Sequence, residues 1–253
     1  MPLLAKILLA SAFSGLLGLA GGVLLLVRPK WTRGLSVHFT SFAVGVLLGV
    51  VFLDLLPEAL EMDKAEPTSI LLAALVAIIG FFFLERTLLT FHPHHHEDTS
   101  EHHHPVPSLL VIGDTLHNFI DGILIAISFL IQPALGILST FAVLAHEIPQ
   151  EMSDFSIMVN HGWARRRVLW ANIFSALASL VGAALGFYFR ETLEPILPQL
   201  LGFTAGVFLY ISAADLMADI SVEKFRDKTS HVFALVILGV ASIWILGHLL
   251  AGG

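Results

Sequence analysis

The sequence contains no cysteine, and only 13% of its 253 residues are charged. The first absence excludes disulfides and thiolate metal sites and leaves the redox compartment unmarked. The second excludes an ordinary soluble domain, in which about a quarter of the residues are charged. The 13 lysines and arginines are scattered through short segments and the net charge is -7, so the chain offers nucleic acid no basic surface. No lysine or arginine falls in the middle of an apolar run.

What is abundant is hydrocarbon. Hydrophobic residues make up 56% of the chain and the mean hydropathy is +0.85, values of an integral membrane protein. A spanning helix needs about 20 mostly apolar residues. Eight such runs can be drawn, at 4–27, 35–60, 69–91, 107–131, 134–160, 168–190, 197–220 and 231–250. The first has Lys6 ahead of its apolar stretch but is long and followed by "RPKWTR", which fits a retained span better than a cleaved leader. The expected fold is an all-α membrane protein forming one transmembrane domain over 1–253.

Ten of the 13 basic residues, Arg28, Lys30, Arg33, Arg86, Arg165, Arg166, Arg167, Lys224, Arg226 and Lys228, lie after spans one, three, five and seven. Basic loops stay in the cytoplasm. Both termini are therefore expected outside it, in a multi-pass cell (inner) membrane protein. Between spans three and four, residues 92–107 form a polar segment expected in the cytoplasm. It carries His92, His94, His95, His96, His102, His103 and His104, and such tracts bind borderline divalent metals adaptably, one imidazole lone pair at a time.

Spans two and seven repeat one another. "GVLLGVVFLDLLPE" from Gly45 aligns without a gap on "GVFLYISAADLMAD" from Gly206, placing Asp54 over Asp215 and Glu58 over Asp219. With the two spans running in opposite directions the repeat is inverted, pairing spans 1–3 with 6–8 around a central hairpin of spans four and five. Transporters built this way hold their substrate near the bilayer midplane.

The hairpin carries the chemistry. "HNFIDG" in span four places His117, Asn118 and Asp121 at i, i+1 and i+4; "HEIPQE" in span five repeats the spacing with His146, Glu147 and Gln150. Residues at i and i+4 share a helix face, with i+1 about 100° round it. The "QPA" connection permits only an antiparallel hairpin, and Asp121 and His146 stand at similar distances from it, so both sets reach the same depth. Facing nitrogen and oxygen donors suit Zn²⁺ or Fe²⁺, and also Mn²⁺. With two carboxylates free to bridge, two adjacent ions could be held. Pro149 is expected to loosen span five and free a carbonyl. Asp114, Glu151 and Asp154 flank the same edge as supporting or pathway residues, with Asp54, Glu58, Asp215 and Asp219 toward span ends. An unpaired carboxylate in the membrane needs a proton, water or a cation, and the missing cation is read as the substrate.

At these residues the chain resembles the ZIP (Zrt-/Irt-like protein) family of divalent metal transporters, in a bacterial-type form with the histidine-rich loop between spans three and four. The resemblance covers nearly the whole chain: eight spans, both ends outside, the loop, "HNFIDG" and "HEIPQE". It implies a transporter rather than an enzyme, with no catalytic cofactor. Zn²⁺, or Fe²⁺, Mn²⁺ or Cd²⁺, would enter the cytoplasm through a binuclear site at His117, Asn118, Asp121, His146, Glu147 and Gln150. Many relatives carry histidine where this chain has Gln150, a weaker zinc ligand. The expected partners are metal ions and the bilayer, with a homodimer among the possible assemblies. The competing readings are an intramembrane zinc metalloprotease, since "HEIPQ" is one residue short of HExxH; a membrane-anchored metal sensor working through its histidine loop; and a proton-coupled cation exchanger of another family.

Overall fold

In hydrocarbon a backbone must satisfy its own hydrogen bonds, so a chain of apolar runs becomes a set of helices. The computed structural model describes residues 2–27, 29–62, 65–90, 107–220 and 229–251. The histidines at 92–104 lie outside these described residues, as do the side chains of Asp215 and Asp219.

Helix α1 is Leu3–Val27. Helix α2 runs through Pro29–Val50, a π-helical turn at Val51–Leu55, and Leu56–Glu61. Then come α3 (Pro67–Thr90), α4 (Pro107–Ile131), α5 (Pro133–Asn160) and α6 (Arg165–Tyr188). Helix α7 starts at Leu197–Tyr210, passes a second π-helical turn at Ile211–Leu216 and ends at Met217–Ile220; α8 is Thr229–Ala251. Prolines open α2, α3, α4 and α5, where the missing N–H would have had no partner and the fixed φ already suits a helix. The turn from α5 to α6 bends at Gly162, whose φ of +83° favours a residue without Cβ.

Seven helical segments are long and apolar enough to cross a membrane. Helix α5 is absent from that set although it has 28 residues, about 42 Å of helix. Its buried residues include His146, Glu147, Glu151 and Asp154, which dilute its hydropathy. It is lined on most sides by protein. Only Gln132 separates it from α4, and Ser128 and Ser139 meet across the hairpin at 2.8 Å between hydroxyls. Pro149 lies inside α5 without ending it, and it has no N–H to donate to the Ala145 carbonyl.

The helices pack as two sets. Helix α1 lies along α5 and α6, and α4 along α5 and α6; α2 lies along α8, and α3 along α7. Glycines mediate the closest approaches. A Cβ on Gly122 would strike the Ser179 carbonyl and one on Gly182 the Phe119 carbonyl, locking α4 to α6. Gly45 and Gly239 meet the Val236 and Phe42 carbonyls between α2 and α8, and Gly206 meets Ala74 between α7 and α3. Small residues let membrane helices approach this closely. The close approaches described at these glycines stay within one set, either α1, α4, α5 and α6 or α2, α3, α7 and α8. The two sets meet chiefly where α2 lies against α5.

The π turn of α2 has a local cause. Pro57 would clash with the carbonyl four residues back in a regular helix, and the wider turn, with Leu56 N–H bonded to the Val51 carbonyl, relieves it. The π turn of α7 falls at the aligned position with no proline after it; there Ser212 Oγ donates to the Leu209 carbonyl at 3.1 Å.

Candidate metal centre

His117 and Asp121 stand one turn apart on α4, and His146 and Glu147 are adjacent on α5, so the antiparallel hairpin sets them facing one another. One ligand atom from each of the four lies within 4.8 Å of all the others. The two Nε2 atoms are 3.1 Å apart. Asp121 Oδ2 is 3.2 Å from His146 Nε2 and 3.7 Å from His117 Nε2; Glu147 Oε1 is 3.7 Å from His117 and 3.8 Å from His146. A tetrahedral zinc with bonds of about 2.05 Å would set its ligands roughly 3.3 Å apart. The five edges that involve a histidine straddle that value, and the two carboxylates lie within 4.8 Å of each other, so the four side chains can close on one ion by small side-chain movements.

The protonation of His146 is decided by its neighbour. Its Nδ1 is 3.0 Å from the Ala142 carbonyl, and a carbonyl only accepts, so Nδ1 carries the proton and Nε2 turns its lone pair toward the centre. Behind the ring stands Phe208 of α7, edge-on at 6.1 Å between centroids. His117 is 14% exposed, whereas Asp121, His146 and Glu147 are at most 1% exposed.

Both carboxylate oxygens of Asp121 and of Glu147 are buried without a hydrogen-bond partner, as is Gln150 Oε1. Burying such groups is costly unless something positive compensates. Residues 107–164, the whole hairpin, contain neither lysine nor arginine. Orphaned oxygens beside two imidazoles, in a segment with no fixed cation, are the chemistry of a site that takes a divalent metal.

Asn118 has a different environment from its neighbours. Its amide donates to the Asp114 carbonyl at 3.1 Å and to Asp114 Oδ1 at 3.0 Å, which commits the nitrogen and leaves the amide oxygen free to act as a ligand. Asp114 and Glu151 lie one turn beyond His117 and Glu147, and Asp114 Oδ2 and both Glu151 oxygens are buried without a partner; Asp154 is buried another turn along. Asp54 lies in the π turn of α2, away from the cluster, with Oδ2 buried and unpartnered. Glu58 accepts a hydrogen bond from Gln132 Nε2 at 2.9 Å.

Three supporting residues escaped the sequence reading. Gly18 of α1 presses on Glu147, so closely that a Cβ there would collide with the Glu147 Cβ. Its signal was present: Ser11, Ser14, Gly15, Gly18, Gly21 and Gly22 form a small-residue face along α1, the pattern of close helix packing. Phe208 and the Gln132 side chain carry no such local signal.

A family model described as ZIP zinc transporter matches residues 3–109 and 95–247. The chain is similar to zinc transporter ZIP13 of Pongo abelii, 31% identical over 213 residues, covering 79% of this chain and 63% of that protein. It is 37% identical over 134 residues to IAA-alanine resistance protein 1 of Arabidopsis thaliana, with 51% and 28% covered. It is 34% identical over 122 residues to metal cation symporter ZIP8 of Rattus norvegicus, with 48% and 26% covered. The chain thus spans less than two thirds of the length of these relatives. The family model takes in both helices of the hairpin, the paired histidine motifs and the helices packed around them, and the chain belongs to the ZIP zinc transporter family.

Proposed function

We propose that this protein carries Zn²⁺, and with it related divalent cations such as Fe²⁺, Mn²⁺ or Cd²⁺, across the membrane into the cytoplasm. One observation carries the reading: four metal-ligating atoms within 4.8 Å of one another, with unpartnered carboxylate oxygens, in the interior of a membrane-spanning bundle. His117, Asp121, His146 and Glu147 are the primary ligands. Asn118 and Gln150 add oxygen donors beside them, and a carboxylate bridging to these would hold a second ion. The metal is cargo, so the site must bind and also release it.

In this mechanism the cation passes the carboxylates of Asp54, Asp215 and Asp219, displaces water or protons at the hairpin, and departs past Asp114, Glu151 and Asp154. Release follows when one bundle rocks against the other. The glycine contacts support this, because they tie α1, α4, α5 and α6 together and pair α2 with α8 and α3 with α7, and none of those described crosses between the two sets. The aligned π turns in α2 and α7 support the inverted repeat. In the proposed orientation both termini lie outside the cytoplasm, in the cell (inner) membrane, within one transmembrane domain that includes the histidine-rich loop at 92–107. A homodimer and contact with lipid belong to the same proposal.

ZIP proteins are transporters and not enzymes, and the zinc metalloprotease reading lacks the second imidazole at Gln150 that such a site requires. Uptake of Zn²⁺, Fe²⁺, Mn²⁺ and Cd²⁺ into proteoliposomes tests the proposal. Wild-type protein is expected to accumulate Zn²⁺ and His117→Ala and His146→Ala to fail; equal uptake in all three overturns the site.

A further inference from the structure

The metal-ligating hairpin belongs to one set of helices, and its tip is tied to the other. Gln132 is the single residue between α4 and α5, and its backbone is held at both ends by the hairpin: its N–H bonds to the Ser128 carbonyl and its carbonyl receives the Gly136 N–H. Its side chain reaches away, donating from Nε2 to Glu58 Oε2 of α2 at 2.9 Å. Glu58 follows the π turn at Val51–Leu55, and an extra residue in a helical turn rotates everything beyond it by about 100°. The π turn therefore decides that Glu58 faces the hairpin.

Other described contacts along the seam between the sets have a different character. Phe42 of α2 meets Phe141 of α5 edge to face, Phe208 of α7 meets the His146 ring, and an apolar cavity of about 250 Å³ opens between Phe13, Ile137, Phe141 and Leu246. Thr140 borders that cavity, but its hydroxyl is turned back to the Gly136 carbonyl. Apolar surfaces in lipid slide past one another at little cost, because the alternative partner is hydrocarbon too. A carboxylate bonded to an amide does not.

We propose that Glu58 and Gln132 are positioning residues that form a latch, holding the metal-bearing hairpin against α2 in the conformation seen here and opening once in each transport cycle. The proposal rests on the transport reading above. It adds that relative motion of the two sets separates the hairpin tip from α2, and that breaking this one hydrogen bond gates the motion. Neither residue touches the metal.

The absence of native cysteine makes the test clean. Glu58→Cys/Gln132→Cys protein in proteoliposomes is bridged with a short, reducible bifunctional methanethiosulfonate, with each single-cysteine variant treated alike. Bridging is expected to cut Zn²⁺ uptake at least about tenfold relative to the untreated double-cysteine protein, with recovery on reduction, while the reagent leaves the uptake of each single-cysteine variant, and equilibrium Zn²⁺ binding to the solubilised protein, as they were before treatment. Uptake by the bridged protein at the unbridged rate overturns the latch and leaves the transport reading standing; no uptake by wild-type protein overturns both. Glu58→Ala and Gln132→Ala should each shift the uptake rate about threefold in the same sense, with no further shift in the double variant. Glu58→Gln, which keeps an acceptor for the Gln132 amide, should restore the wild-type rate. Independent, additive effects, or no rescue by glutamine, overturn the proposal.

Discussion

The two sets of helices both bury apolar side chains but differ in the polar ones they enclose. In α1, α4, α5 and α6 the buried residues include Asp114, Asn118, Asp121, His146, Glu147, Glu151, Asp154, Asn172 and Ser175. In α2, α3, α7 and α8 they are overwhelmingly Val, Leu, Ile, Ala and Phe, with only hydroxyl groups such as Ser41, Thr204 and Ser212 among the described polar ones. Yet both sets are assembled by the same device, glycine against a neighbouring carbonyl. In lipid, helix association gains little from hydrophobic transfer and depends on close packing. Packing therefore need not be sacrificed to house a polar site, and one set can carry the chemistry while the other serves as its wall.

The largest expected effect falls on the polar set. His117→Ala and His146→Ala should each weaken Zn²⁺ binding by about 100-fold or more, measured by equilibrium dialysis on solubilised protein, since losing even an outer hydrogen-bond partner costs 10–100-fold. Next come the glycines. Gly122→Leu and Gly239→Leu should both destabilise the protein in detergent by about 1–3 kcal/mol, the cost typical of overpacking, seen as a lower thermal unfolding midpoint. Only Gly122→Leu, beside Asp121, should also weaken Zn²⁺ binding; an equal effect of Gly239→Leu on affinity would erase the division of labour.

Asp114→Ala should remove one of the two hydrogen bonds that hold the Asn118 amide and cost about tenfold in metal affinity while leaving the fold intact, as competition with a chromophoric chelator would report. Gln150→His should favour Zn²⁺ over Mn²⁺ by several-fold, because imidazole replaces a neutral amide oxygen. The smallest effect is expected from deleting residues 92–104: proteoliposome uptake should stay within about twofold of wild type if the loop serves to accept or sense metal after passage. A sensor working through the loop would lose its function instead.

Much of this was legible before any coordinates. The spans followed from hydropathy, a local property, and their expected limits lie within a few residues of the helices except at the start of α2, which begins at Pro29 rather than 35. Helix α5 shows the edge of that method: it was drawn with the other apolar runs, yet its acids dilute it, and among the described helices it alone of the eight falls outside those apolar enough to cross a membrane. The four clustered residues were all named from the matched spacing of "HNFIDG" and "HEIPQE", because helix periodicity dictates which side chains share a face. Asn118 and Gln150 were named with them, and the structure adds that Asp114 fixes the Asn118 nitrogen. Phe208, Gly18 and the Gln132 side chain were not legible, since each acts on a partner far away in the chain.

The sequence by itself determined that this chain crosses a membrane as helices and that spans four and five oppose matched donor sets at one depth. Hydrophobic length and the 3.6-residue period are counted along the chain and need no knowledge of neighbours. Only the tertiary structure decided which helices lock together, that α1 presses on Glu147, that π turns interrupt α2 and α7, and that Glu58 meets Gln132. Those outcomes depend on fit between surfaces distant in sequence, where a missing Cβ or one extra residue in a turn changes which face meets which.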